Sequence, residues 1–94
     1  MKKGYVYILT NKPKGILYIG VTSQLMKRSE QHLISQADSF TRKYNLNKLV
    51  YSEEYPTIAE AIQREKQLKR WHREWKINLI ESNNPKWEDL FGRS

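Results

Sequence analysis

Apolar and aromatic residues crowd two short runs near the start of the chain, Tyr5 to Thr10 and Ile16 to Val21. Both are rich in the β-branched and aromatic side chains that suit a pleated strand. Between them lies Asn11-Lys12-Pro13-Lys14-Gly15, a stretch with the proline and glycine of a turn. The pattern predicts a β-hairpin. With the loop centred on Lys12 and Pro13, Tyr7 falls opposite Tyr18 and Leu9 opposite Ile16. A slip of one residue would send one of the two tyrosines to the other face, so the register decides whether the phenols share a surface.

Beyond the hairpin the period changes. Thr22 or Ser23 can cap a helix from about Gln24 to Leu33, with Leu25, Met26, Ser29 and Leu33 inward and Arg28 and His32 one turn apart on a neighbouring face. Phe40 to Asn45 reads as a short second helix that exposes Arg42 and Lys43. Leu49 to Ser52 reads as a third strand ending at Glu53-Glu54. After Pro56, Thr57-Ile58-Ala59-Glu60 has the form of a capping box, and the helix it opens is expected to run to about Ile80. Residues 61, 65, 68, 72, 75 and 79 recur in steps of four and three and so share one helix face. That stripe is expected to bury Trp75, which leaves Trp71 as the exposed aromatic. Asn84-Pro85 reads as an N-cap followed by proline at the first position of a last short helix, ending near Gly92.

Two members of the long stripe, Glu65 and His72, are not apolar. A carboxylate on an inward face is costly unless it is paired, metal-bound or protonated, so Glu65 needs a reason. His72 is read as an edge histidine with an ordinary hydrogen-bond partner and is given no catalytic role.

Composition narrows the partners. The chain has 94 residues, expected to form one domain over 1–94 with a small core. Lys plus Arg number 17 against 10 Asp plus Glu, a formal charge of +7 that favours an anionic partner, nucleic acid before an anionic membrane. The absence of cysteine excludes a disulfide framework and a thiolate zinc site, and fits a reducing, cytoplasmic setting. No apolar run is long enough to span a bilayer, and Met1-Lys2-Lys3-Gly4 leads into a strand rather than a signal peptide.

The candidate chemistry is a set of parts in a fixed order: a phenol pair, Tyr7 and Tyr18; a cation, Arg28; an imidazole, His32; and a lone carboxylate, Glu65. Singly, each has an ordinary reading as a strand tyrosine, a surface arginine or a solvated acid. Together they are what binding one divalent metal and attacking a phosphodiester require. A second constellation lies on the long helix, where Arg64, Lys66, Lys69, Arg70, Arg73 and Lys76 alternate with Trp71 and Trp75. Cations engage phosphates and aromatics stack on unpaired bases, so this helix alone would suit a non-catalytic nucleic-acid-binding module. A protein-interaction domain with an acidic partner is a third reading, and it leaves Glu65 unexplained.

These residues also carry a resemblance. Tyr18-Ile19-Gly20 matches the second half of the GIY-YIG motif in full, while Tyr5-Val6-Tyr7 stands in place of Gly-Ile-Tyr and departs at its first two positions. Arg28, His32 and Glu65 in Gln63-Arg64-Glu65-Lys66 match the family's helix arginine, its His-or-Tyr position and its metal-binding glutamate. The chain resembles the GIY-YIG nuclease superfamily, in particular its small stand-alone bacterial members, over nearly its whole length. The resemblance implies an α+β fold, a three-stranded antiparallel sheet flanked by helices. It implies an endonuclease that hydrolyses phosphodiester bonds, with DNA favoured over RNA, and one Mg²⁺ or Mn²⁺ held by Glu65. Tyr7, Tyr18, Arg28 and His32 would complete the set, with Arg28 clamping the scissile phosphate and the general base left open among Tyr7, Tyr18 and His32. Nucleic-acid contacts are expected from Arg42, Lys43, Arg64, Lys69, Arg70, Trp71, Arg73 and Asn84, the last as the family's late asparagine. With no room for an appended DNA-reading region, low sequence specificity and a monomer or weak dimer are expected.

Overall fold

The computed structural model describes residues 3–23, 41 and 43–91. Among them three strands, β1 (Gly4–Thr10), β2 (Leu17–Thr22) and β3 (Lys48–Tyr55), form one antiparallel sheet in the order β2-β1-β3. Two helices follow, α1 (Ile58–Arg70) and α2 (Arg73–Asn83). This is the expected α+β arrangement. The helix expected over Gln24 to Leu33 lies outside the described residues. Of the expected second helix, Thr41 and Lys43 are helical, and Leu46 N–H closes the turn onto Thr41 O at 3.0 Å with Asn45 in the left-handed region. None of the helices among the described residues is long and apolar enough to cross a membrane.

The sheet is apolar on both faces. Val6, Ile8 and Ile19 face α1 and α2, where Ala61, Leu68, Ile80 and Trp87 close the main core. Tyr7 and Leu9 point the other way, against Leu46 and Leu49, with Tyr5, Ile16, Tyr18 and Phe91 around them. Alternation along β1 therefore sends both tyrosines of Tyr5-Val6-Tyr7 away from the helices.

The hairpin register differs from the expected one by two residues. Tyr7 pairs with Gly20 and Leu9 with Tyr18, so the loop is centred on Pro13 and Lys14, one position later than expected. Lys14 takes the left-handed conformation at φ 57°, Gly15 N–H bonds to Lys12 O at 2.9 Å, and the Asn11 side chain accepts from Ile16 N–H at 2.9 Å. These bonds hold a wider loop than a tight turn. Because the shift is even, it leaves every side chain on its expected face. Tyr7 and Tyr18 become diagonal neighbours, ring centroids 6.5 Å apart, and the place directly opposite Tyr7 goes to a residue with no side chain. A Cβ on Gly20 would lie 2.5 Å from Cζ and Oη of Tyr7, so the ring tip is seated on the glycine. Gly4 plays a similar part for α1, since a Cβ there would lie 2.7 Å from Ala61 Cβ.

β3 runs three residues past the expected end and takes in Glu53 and Glu54. Its pairing with β1 slips between Ile8 and Leu9, leaving Val50 as the extra residue of a bulge. Glu53, on the helical face, is the hub of a small polar network. It accepts from Tyr51 Oη, from Tyr55 Oη at 2.7 Å and from Arg64 Nε and Nη2 at 2.9 and 3.1 Å. Burial pushes the Glu53 carboxyl up, but the bonds from Arg64, Tyr51 and Tyr55 outweigh it and hold the group below the usual carboxylate range. Burial and the Glu53 carboxylate both push the Tyr51 phenol up.

Thr57 caps α1 as expected, accepting from Glu60 N–H at 3.3 Å. The single helix expected from Ile58 to Ile80 is instead two. Trp71 and His72 are both extended, with ψ near 150°, and end α1 before α2 begins. Neither proline nor glycine stands there. At about 100° per residue an unbroken helix would carry Ile77 about 180° away from Leu68. The break resets the phase, so Ile77 packs against the core, Ile80 is fully buried, and His72 and Trp75 turn outward. Trp75 is thus 54% exposed, against the expectation of burial, because two isoleucines take the inward positions.

Among the described residues, 84–91 form no helix, where a last short one was expected. Asn84 is the C-cap of α2, not an N-cap, and is buried. Its amide donates to Val50 O at 3.1 Å and Glu88 O at 2.9 Å, and its carbonyl accepts from Glu88 N–H at 3.0 Å. The bulge frees the Val50 carbonyl that Asn84 takes. Leu90 N–H bonds to Leu49 O at 2.7 Å, so this segment also covers the edge of β3.

Two outcomes are expected. Gly20→Ala should cost about 1–3 kcal/mol in urea unfolding, because the buried Tyr7 ring must leave its seat; an unchanged midpoint would show that the ring is not held there. Glu53→Gln should cost about 1–3 kcal/mol at neutral pH. The Glu53 carboxyl is held down in the folded state, so its contribution is full above the unfolded carboxylate range and fades as pH falls through the folded value. The stability gap between wild type and Glu53→Gln should therefore narrow below about pH 5; a gap constant down to about pH 3 would contradict this assignment.

Candidate active site

The strand tyrosines and the helical acid meet at the β2 edge. Tyr7, Tyr18, Gly20, Val21 and Glu65 line one cleft of about 400 Å³. The phenols reach it from one face of the sheet, while Val21 and Glu65 come from the helical face. Two local features make this possible. Gly20 leaves β2 bare where the Tyr7 ring crosses it. Glu65, one turn after Ala61 and one before Leu68, sits at the margin of the buried stripe of α1 and leans over β2. Its side chain is 17% exposed, and its carboxylate is 3.2 Å from Lys69 Nζ. The resulting surface is a polar one of phenol and carboxylate oxygens on a rigid strand-and-helix frame.

A hard divalent cation suits these donors. Such ions take oxygen ligands and keep much of their water, so a site for one needs few protein ligands, and Glu65 is the carboxylate of this cleft that would hold it. No group of three or more His, Cys, Asp or Glu side chains occurs among the described residues, so a zinc-type cage is not the pattern there. Arg28, His32 and Arg42 lie outside the described residues.

The other expected nucleic-acid contacts divide by location. Lys69 flanks Glu65 directly. Arg64 lies on the opposite side of the α1 stripe, its side chain 21% exposed, with Nε and Nη2 on Glu53 and Nη1 on Gln67 Oε1 at 2.6 Å. All three nitrogens are thus engaged within the fold, a role invisible until Glu53 is seen to belong to β3. The Arg64 guanidinium also covers the Trp71 ring at 5.1 Å, and Trp71 is half-buried against the core. These two and Arg70 line a wider groove of about 730 Å³ that also holds Tyr55, Glu60 and Lys66. It is the larger concavity, yet it lacks the phenol pair and the enclosed acid. Arg73 donates from Nη2 to the carbonyls of Lys14 and Gly15, tying α2 to the hairpin loop. Lys43 is exposed, over the Tyr44 ring at 5.5 Å. Asn84 is buried and its side chain is fully used in the bonds to Val50 and Glu88.

Sequence reasoning missed Gly20 as a site residue in its own right and missed Trp75 as the exposed aromatic. The first had a signal, a glycine inside a strand, which often marks a close approach. The second had none, because it depends on a helix break without a breaker residue. Trp75 stands edge-to-face with both Trp71 and His72, at 5.9 and 5.5 Å.

Comparison with known proteins identifies the family. A family model described as the GIY-YIG catalytic domain matches residues 3–78. A UPF0213 protein of Staphylococcus saprophyticus is 36% identical over 80 residues, covering 85% of this chain and 96% of the relative. UPF0213 proteins of Staphylococcus aureus strains Mu3 and N315 are 35% identical with the same coverage. These names state no activity, and no solved structure matches. The match spans both strands of the hairpin, all of α1 and the start of α2, and the chain belongs to the GIY-YIG nuclease family.

Proposed function

We propose that the chain is a metal-dependent endonuclease that hydrolyses phosphodiester bonds, acting on DNA in preference to RNA and with low sequence specificity. The observation that carries this reading is the shared cleft of Tyr7, Tyr18 and Glu65, contributed by β1, β2 and α1. Glu65 would hold one Mg²⁺ or Mn²⁺, which when bound supplies charge neutralisation at the leaving oxygen. The phenols hold and orient the attacking water through their Oη atoms. A free phenol has a pKa of about 10, so it is a weak base at neutral pH unless neighbouring positive charge lowers it. The water proton goes either to a phenol Oη or, through it, to the imidazole of His32. Arg28 clamps the scissile phosphate with a planar, bidentate guanidinium, a task that lysine performs poorly. The cations and phenols of the site address the phosphate backbone, which is the same at every step, and this underlies the expected low specificity.

A non-catalytic binding module is the second reading. It is favoured by the exposed Trp75 beside His72, an aromatic surface that the cleft chemistry leaves unused. Binding without cleavage under any divalent metal would select it.

The test is a cleavage panel of single-stranded, duplex and branched DNA and RNA with Mg²⁺ or Mn²⁺. Glu65→Ala and Arg28→Ala should each lower the rate by about 10²-fold or more while melting stays near wild type. Wild type and Glu65→Ala cutting equally well would refute the assignment. The pH profiles of Tyr7→Phe, Tyr18→Phe and His32→Ala identify the base, as the variant that loses the basic limb.

A further inference from the structure

Lys69 occupies the position where two demands meet. Its ammonium lies 3.2 Å from Glu65 Oε2, one turn along the same helix, with the Lys69 side chain 55% exposed and that of Glu65 17%. The Lys69 charge and that of Arg73 also reach Lys76. The Lys76 ammonium is half-buried and held below the usual lysine range by that burial first, and then by the nearby charges of Arg73 and Lys69. Arg73 is tethered to the Lys14 and Gly15 carbonyls. Among the described residues neither Arg73 nor Lys76 has a carboxylate within ion-pair distance, whereas Lys69 has Glu65.

We propose that Lys69 is a swing cation: it rests on Glu65 in the free protein and exchanges that carboxylate for a phosphate oxygen of the nucleic acid when the divalent ion binds. This rests on the reading of Glu65 as the metal ligand. An ammonium and a divalent ion repel each other at one carboxylate, and the repulsion is stronger beside a mostly buried acid than in open solvent. An exposed lysine pair is weak and its stem is flexible, so the ammonium is the partner that leaves. Once released it remains within reach of the charges of Arg73 and Lys76, and a third positive charge there is tolerable only with an anion present. The anion that fits is a phosphate of the strand in the cleft, next to the scissile one. Metal and nucleic acid then bind with positive coupling, and by linkage each raises the affinity of the other. In the free protein Lys69 opposes idle loading of the metal.

The experiment is Mn²⁺ binding by calorimetry and electron paramagnetic resonance, to wild type, Lys69→Met, Lys69→Arg and Glu65→Gln. It is run first alone, then with a phosphorothioate-linked DNA oligonucleotide that resists cleavage. Without DNA, Lys69→Met should bind Mn²⁺ about three- to tenfold more tightly than wild type, and Lys69→Arg within about twofold of wild type. The oligonucleotide should tighten Mn²⁺ binding to wild type by a larger factor than binding to Lys69→Met. A Lys69→Met affinity equal to or weaker than wild type overturns the swing. Mn²⁺ binding indifferent to Glu65→Gln overturns the metal reading beneath it as well, so the two failures are distinguishable.

Discussion

The Tyr7 ring lying across Gly20 is the contact on which the candidate site depends. A sheet keeps its two faces apart, and a phenol on one face does not ordinarily meet a helix packed on the other. Here the edge strand carries no side chain at the crossing point, so the ring tip reaches the β2 margin. Glu65 arrives at the same margin from α1. The sheet edge, usually a liability of unpaired backbone, becomes the one line along which groups from both faces converge.

α1 divides its charges around that line. Ala61 and Leu68 form the buried stripe, and the two adjacent charged residues, Arg64 and Glu65, fall on opposite sides of it. On one side Arg64 is locked to Glu53, which also gathers the Tyr51 and Tyr55 hydroxyls, and this fixes the helix on β3. On the other side Glu65 has, among the described residues, a single, exposed ion-pair partner. The contrast is one of satisfaction: the Glu53 carboxylate accepts four hydrogen bonds, while Glu65 keeps acceptor capacity that a hard cation can use. The rigid network on one flank holds still the helix that presents the adaptable carboxylate on the other.

What the sequence revealed, and what it hid, follows from the range of the interactions involved. Strand composition, the Thr57 cap and the alternation along β1 are local, and they were legible. The hairpin register was displaced by two, yet the face of each tyrosine survived, because parity is a property of the strands and the exact centre is a property of the loop bonds around Lys14 and Asn11. The break at Trp71-His72 was illegible for the opposite reason. No breaker residue marks it; it arises because Ile77 and Ile80 compete with Trp75 for the inward face, and the outcome is decided by tertiary packing. The structural bonds of Arg64 and Asn84 were hidden for the same reason. Their side chains are polar and plausible for phosphate contact, and only the third dimension shows them consumed by Glu53 and by the bulge carbonyl of Val50.

The break has a consequence for the cations as well as for the aromatics. On an unbroken helix Arg73 and Lys76 would follow the winding of α1, and their relation to Glu65 would be set by helix phase alone. After the break, Arg73 is anchored to the hairpin loop through Lys14 and Gly15, and burial, joined by the nearby charges of Arg73 and Lys69, holds the Lys76 ammonium below the usual lysine range. The hairpin that carries the phenols and the helix pair that carries the acid and the cations are thereby fastened by the close approach of Gly4 to Ala61 and by Arg73 on the loop. A cluster of like charges is unfavourable in isolation, and a fold that holds one together beside a polar cleft stores electrostatic free energy that an incoming polyanion releases.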